Sequence, residues 1–297
     1  MRPVKMVFVV GCGIALLWSL QAHSAFDAGS PAERLRSFNG AALRLAIEDL
    51  IREFGERYPD GPAYLQALDR YEMWVREMRD AASLSERGGL WGWHPNDPAV
   101  QARVDEILAF QRNALLANPL LDFRRLLLVK RSEGNLGLPM NWESNSSISR
   151  DGIDNELCIL SLDHLDADPV RLFKPEGGRF VGDVDLHFDG ERMLLSMPGE
   201  DRRWQVFELG VDGTGLRQLP LIDEPDVDNY DACYLPDGAL LFSSTACFVG
   251  VPCVTGSSHV SHLFRYEPET GAIRRLTFEQ DHDWCPTVLN NGRVLYT

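Results

Sequence analysis

The sequence predicts a mainly β chain behind an N-terminal α-helical region, and three observations lead there. From Phe123 onward, apolar residues recur with a period of two in short runs bounded by turns, as in Leu126–Val129 and Asn155–Asp163. Asp-Gly or Asn-Gly turns recur at Gly190, Gly238 and Gly292, at spacings of 48 and 54 residues. No helical pattern separates the runs, which excludes a parallel α/β fold. Units of this length suit four-stranded antiparallel blades closing on one another, so the expected fold over residues 123–297 is an incomplete β-propeller. The last unit stops at Val294–Thr297, in what reads as mid-strand. The chain therefore reads as the front part of a longer protein, truncated mid-blade. A β-sandwich is the alternative, although a sandwich does not need repeated units.

Residues 1–25 read as a signal peptide. Arg2 and Lys5 supply a basic start, Met6–Leu20 an apolar core, and Gln21–Ala25 small residues for cleavage near Ser24 or Ala25. That core is too short to span a bilayer comfortably, and no later segment is longer, so no transmembrane span is expected. Export to a periplasmic or extracellular space follows. Val9-Val10-Gly11-Cys12 has a loose lipobox look, which leaves a lipid-bearing Cys12 as the alternative.

Residues 26–122 read as helical. Ala41–Ile51 carries apolar residues at helical spacing, with Asn39-Gly40 as its cap and Tyr58-Pro59-Asp60-Gly61-Pro62 as its stop. A second helix is expected over Ala63–Ser83, with Leu65, Leu68, Tyr71, Met73, Trp74 and Met78 as apolar positions. A third is expected over Ala99–Ala117. Gly88–Pro95 between them reads as a loop, whose Trp91, Trp93 and His94 pack on the helices. Three amphipathic helices imply a small bundle or collar.

In the β part, strands are expected at Leu126–Arg131, Asn155–Asp163 and Val170–Phe173. The next unit runs Asp183–Asp189, Arg192–Ser196, Trp204–Leu209 and Gly213–Leu219. The third runs Asp231–Leu235, Ala239–Ser244, His262–Tyr266 and Ile273–Thr277. A fourth begins at Cys285 and reaches Val294–Tyr296. The dipeptides at the turn glycines suit tight hairpins in which both central residues take positive φ.

Composition narrows the function classes. The net charge is −15, and removing the leader with Arg2 and Lys5 takes it to −17. An acidic surface without a run of basic residues argues against nucleic acid as a partner. The sequence contains no Gly-x-Ser-x-Gly elbow, no His-Glu-x-x-His, no phosphate-cradling Gly loop and no dinucleotide fingerprint. Five cysteines remain after cleavage. In an oxidising compartment Cys247 and Cys253 form the expected disulfide, because Gly250 and Pro252 let the loop between them fold back.

The densest polar constellation is Asp281-His282-Asp283-Trp284-Cys285, in the connection entering the first strand of the fourth unit. In a propeller such connections lie at the mouth of the central channel. Imidazole, thiolate and carboxylate hold transition metals, so His282, Asp283 and Cys285 are candidate ligands. Asp231 and Cys233 occupy a similar place one unit earlier, and Asp231 recurs as Asp183. The competing reading makes the aspartates turn-fixing acceptors and the cysteines small apolar residues. His259 and His262 are a weaker pair, and His187 could face the channel. Asp226–Asp231 lacks the glycine and distal glutamate of a calcium loop. Trp142–Ser147 is a polar irregular segment that could lie over the channel.

The stretches "DACYLPDGALLFSS" and "HLFRYEPETGAIRRLTFE" resemble the repeat of TolB-like β-propellers, most closely at Pro236-Asp237-Gly238 and Arg275-Leu276-Thr277. "LLLVKR", "TACFVGVPC" and "DHDWCPTVLNNGRVLYT" are similar to exported relatives of the hydrazine synthase alpha subunit. The second resemblance implies a propeller beside domains that carry c-type haem. This chain has no Cys-x-x-Cys-His, so c-type haem would require a motif beyond Thr297. The leading expectation is a binding or scaffold module that contacts a protein partner or missing C-terminal blades. The alternatives are a subunit of a metal or haem redox enzyme, and a propeller gating a C-terminal hydrolase.

Overall fold

The computed structural model describes residues 31–86, 97–140, 143–165, 167–251, 256 and 258–297. The expected leader, Cys12, the Trp91–His94 loop, Trp142 and Cys253 lie outside the described residues. The chain divides between Asp122 and Phe123 into a helical unit and a β unit.

The helical unit holds α1 (Gly40–Phe54), α2 (Gly61–Glu86) and α3 (Pro98–Leu116) after a short turn at Pro31–Arg34. The Asn39 side chain accepts the Ala42 N–H at 3.0 Å and so caps α1. Asp97 caps α3 in the same way, ahead of Pro98. The chain leaves α1 through Gly55 and doubles back to Gly61, where an added Cβ would lie 2.4 Å from Ile51. Ile47, Leu68, Val104 and Ile107 form the fully buried centre. The Tyr58 hydroxyl donates to the Ala114 carbonyl at 2.8 Å and ties the α1–α2 connection to α3. Met73, expected on the apolar face of α2, points outward, and Val75 takes the buried position instead.

The β unit is a run of antiparallel sheets in which strand order equals chain order. Sheet one has three strands: β1 (Arg125–Lys130), β2 (Glu156–Ser161) and β3 (Val170–Phe173). Sheet two has four: β4 (Gly182–Leu186), β5 (Arg192–Pro198), β6 (Trp204–Gly210) and β7 (Arg217–Gln218). Sheet three also has four: β8 (Asn229–Tyr234), β9 (Leu240–Ser244), β10 (His262–Glu267) and β11 (Ala272–Arg275). Sheet four has two, β12 (Thr287–Val288) and β13 (Val294–Leu295). The chain is therefore mainly β with several antiparallel sheets and an N-terminal helical region.

Consecutive sheets share cores. Leu127 and Leu157 of sheet one pack with Val184, Met193 and Leu195 of sheet two. Leu194 and Val206 of sheet two pack with Tyr234, Phe242 and Phe264 of sheet three. Cys233 and Leu241 of sheet three pack with Val288 and Val294 of sheet four. Both faces of β5 and β9 are covered, which is why every residue of β9 is buried.

The repeat is carried by its hairpin chemistry. Gly190, Gly238 and Gly292 adopt φ of 70°, 88° and 78°, and their N–H groups close turns onto His187, Leu235 and Leu289. Asp189, Asp237 and Asn291, each one residue before the glycine, accept the N–H two residues on. The central residues of these turns keep negative φ, contrary to the expected two-residue turn with both in the left-handed region. The aspartate side chain fixes the turn, and only the glycine that follows needs left-handed φ.

Replacing Phe242, which is fully buried between sheets two and three, by alanine is expected to cost about 3 kcal/mol in urea denaturation. Val170→Ala, at an exposed edge position, should stay within about 0.5 kcal/mol of the parent.

Candidate functional site

The start of each repeated sheet contains a backbone distortion at one repeat position. Asp183, Asp231 and Cys285 have φ of 48°, 53° and 51°, although none is glycine. Each stands seven residues before its turn glycine. The β4–β5 register shifts between Gly182 and Asp185, and the β8–β9 register between Tyr230 and Cys233, so Asp183 and Asp231 sit in β-bulges. A bulge re-aims a side chain out of the ladder, and left-handed non-glycine residues cost free energy that other contacts must offset.

These residues form a row that crosses sheets. Asn145 donates to Asp183 at 2.6 Å. The Asp231 N–H donates to Ser196 Oγ at 2.8 Å, and the Cys285 N–H donates to the Asp231 carboxylate. Two residues along, the Asp185 carboxylate accepts the Tyr234 N–H at 2.9 Å. A carboxylate on one sheet thus receives a backbone amide from the next, twice in succession.

Burial raises the pKa of Asp183 and Asp231, and the Asp183 charge raises that of Asp231 further. Burial pushes Asp185 up to about 6. Arg131 is the cation facing Asp183, and burial lowers its own pKa. The Cys285 thiol is pushed up by the surrounding protein atoms and then by the Asp231 carboxylate, although the residue reaches the surface. Such a thiol is a poor source of thiolate.

The segment 143–148 reaches into this row. Ser144 is fully buried with φ of 48°, and Asn145 is buried beside it. The Ser144 hydroxyl lies 2.7 Å from the Tyr230 hydroxyl and 3.1 Å from His282 Nδ1. Ser146 Oγ donates to the His259 carbonyl at 3.0 Å. One short segment from the β1–β2 connection is thereby bonded to the second, third and fourth units.

His282 is held in one tautomer. The Ser261 backbone N–H donates to Nδ1 at 3.1 Å, so Nδ1 is an acceptor and the neutral ring carries its proton on Nε2. Burial lowers the His282 pKa, which keeps the ring neutral. Nε2 of His282 and Oδ2 of Asp283 are buried and have no hydrogen-bond partner among the described residues. With Nδ1 occupied by a backbone donor, His282 is no general base for Ser144, and the fully buried hydroxyl is a structural pin.

Other predicted residues are distributed differently. Cys233 is not the counterpart of Cys285: repeat position pairs Cys285 with Asp231, and Cys233 with Thr287 and Asp185. Its side chain lies in the core shared with Leu235, Leu241 and Val288. His259 is exposed, whereas His262 is buried with Nε2 bonded to the Glu279 carbonyl at 2.7 Å and Nδ1 to Arg275 at 2.7 Å. Their rings do not share a task. His187 lies beside Asp189 and Arg192 at the far end of β4 from Asp183. Cys247 is a free thiol that donates to the Val260 carbonyl. Among the described residues, no group of three or more His, Cys, Asp or Glu side chains is placed to hold a metal ion. Among those residues, also, no helix is long and apolar enough to cross a membrane. Ser144 and Asn145 belong to the polar run Trp142–Ser147 that the sequence marked without assigning it a chemistry, and Tyr230 lies in the oxygen-rich Asp226–Asp231 stretch, with no individual role foreseen for any of the three.

No protein-family model matches the chain, and no curated protein matches it. Among solved structures, it is similar to TolB from Acinetobacter baumannii at 18% identity and a TM-score of 0.36, over 48% of this chain and 31% of that one. It is similar to Kuenenia stuttgartiensis hydrazine synthase at 13% identity and a TM-score of 0.44, over 58% and 27%. It is similar to puromycin hydrolase at 20% identity and a TM-score of 0.33, over 52% and 21%. The chain thus spans less than a third of each of these three.

The raised carboxyls set a pH dependence. A group that binds its proton more tightly when folded adds stability that is full below its ordinary value and is lost as pH rises through the folded one. For Asp185 that window runs from 3.8 to about 6. Asp185→Asn, which keeps an acceptor for the Tyr234 N–H, should flatten the fall in melting temperature between pH 4 and 7 and stabilise the protein at pH 7.5 by about 2 kcal/mol. Ser144→Ala should cost about 1 kcal/mol in denaturant melts, because it removes one of the hydrogen bonds of the Tyr230 hydroxyl and leaves those to Ser261 and Ser146.

Proposed function

We propose that the β unit is the front part of an exported, propeller-type binding module that docks a polar segment of a protein partner. The sheets follow one another in chain order, each shares a core with the next, and their first strands are neighbours: β8 packs on β4, and β12 on β8. That succession supports reading them as blades of an incomplete ring. The basic, apolar and small-residue zones of Met1–Ala25 support export. In that compartment the expected Cys247–Cys253 bridge would require oxidation of the Cys247 thiol, which is free in this structure and donates to the Val260 carbonyl.

The observation that carries the binding role is the pair of buried, unpartnered groups on adjacent residues, His282 Nε2 and Asp283 Oδ2. A buried polar atom without a partner costs about 1–3 kcal/mol, and a bound group that satisfies it recovers this. His282 offers a donor and Asp283 an acceptor, close in sequence to the Asp183–Asp231–Cys285 row. Four carboxyl groups and one facing cation favour a neutral or cationic occupant over an anion. A polypeptide segment with a lysine or a side-chain amide meets this description.

Hydrogen bonding suits His282 better than metal ligation. A metal on Nε2 of the neutral ring would require the proton on Nδ1, where it would meet the Ser261 N–H. The redox reading therefore finds no support in this histidine.

Tripeptides with a central lysine, glutamine or glutamate, titrated into the full chain and followed by histidine-ring and backbone NMR shifts, test this function. The lysine and glutamine peptides should move the His282 ring and the Asp231 and Cys285 amides in a saturable way. The His282→Ala variant should abolish the effect, and because it also removes the acceptor of the Ser261 N–H, a thermal melt establishes that it is still folded at the titration temperature. Equal response to the glutamate peptide, or none to any peptide at millimolar concentration, would remove the proposed occupant.

A further inference from the structure

The helical unit contains a cavity of about 540 Å³ between the start of α1 and the middle of α2. Arg36, Arg76 and Arg79 line it. Arg76 and Arg79 stand three apart on α2 and so share a face. Arg79 donates to the Leu35 and Phe38 carbonyls at 3.4 and 3.3 Å, which draws its guanidinium across to the segment before α1. Arg36 and Arg76 have no ion pair or hydrogen bond among the described residues.

Arg57 and Arg70 of the same unit also lack a carboxylate partner among the described residues, but they do not line the cavity. The chain has 44 acidic and 29 basic residues, and Arg34, Arg44, Arg52 and Arg103 are each paired with a carboxylate. The acid lining the cavity is Glu72, and Arg44 already holds it at 2.7 Å. Three guanidinium groups around one cavity repel one another, and no side chain placed there neutralises them. The buried Phe38 and Val75 supply an apolar wall beside the charges. Planar guanidinium groups match the paired oxygens of carboxylate and phosphate.

We propose that this cavity binds a small free oxyanion, a phosphate monoester or a dicarboxylate, whose charged end meets Arg36, Arg76 and Arg79 and whose body lies on Phe38 and Val75. The site is independent of the β unit and takes ligands of opposite charge to those proposed there.

The test uses the full chain at low ionic strength, with inorganic phosphate and succinate as probes and sodium chloride of matched ionic strength as control. Saturable movement of the arginine Nε–H signals is expected with either probe and not with chloride. The double variant Arg76→Gln/Arg79→Gln should weaken binding at least about tenfold, whereas Arg217→Gln in the β unit should leave it unchanged. Both variants change exposed residues, and thermal melts establish that each is folded. Linear, chloride-like shifts would overturn the proposal, as would unaltered binding in the double variant. Binding to phosphatidylglycerol vesicles without any response to phosphate or succinate would also overturn it, in favour of a lipid surface.

Discussion

The β unit depends on a buried hydroxyl. Ser144 lies on the long connection between β1 and β2, and its Oγ sits between the Tyr230 hydroxyl and His282 Nδ1. Tyr230 starts the third unit and His282 precedes the fourth, so the contact ties the first unit to two later ones. Burying hydroxyls and an imidazole is costly unless their hydrogen bonds close on one another. Here Ser144 Oγ lies between the Tyr230 hydroxyl and His282 Nδ1, whose single lone pair is shared with the Ser261 amide, and His282 Nε2 stays without a partner among the described residues, so the closure is incomplete. Asn145 extends the same segment to Asp183 in the second unit. Sheet-to-sheet apolar contacts supply cohesion, while this polar pin sets which residues face one another.

The pin also accounts for the electrostatics around it. Asp183, Asp185 and Asp231 come from adjacent first strands and approach one another with one facing cation, Arg131. Backbone amides of the following sheet satisfy Asp185 and Asp231, so the acids act as fasteners between sheets. Their raised pKa values express the conflict between that role and their mutual repulsion. Left-handed backbone at Asp183, Asp231 and Cys285 adds local strain at the same place. Strain, like charge and the unpartnered atoms of His282 and Asp283 lie close together here, whereas the other unpartnered buried atoms, such as Ser243 Oγ and Trp204 Nε1, stand singly in the sheets.

Much of the fold was legible before the structure. The period of two, the turn glycines and the Asn39 cap are local signals, set by steric and hydrogen-bonding preferences of a few neighbouring residues. The site was legible only in pieces. His282, Asp283, Cys285 and Asp231 stood out by residue type, and the distance to the turn glycine aligns Cys285 with Asp231, leaving Cys233 two residues further along its strand. Cys233 belongs to a core, and His262 has both ring nitrogens engaged. Neither fact can be read from spacing.

By itself, the sequence determined the change from helix to sheet near Phe123, the order of the hairpins and the residues that turn them, since each follows from interactions across fewer than ten residues. Tertiary structure alone decided that Ser144 meets His282 across 138 positions, which aspartates share a face, and which histidine nitrogen keeps its proton. The physical reason is that bulges, tautomers and pKa shifts arise from groups brought together by packing, and a linear pattern carries no record of those partners.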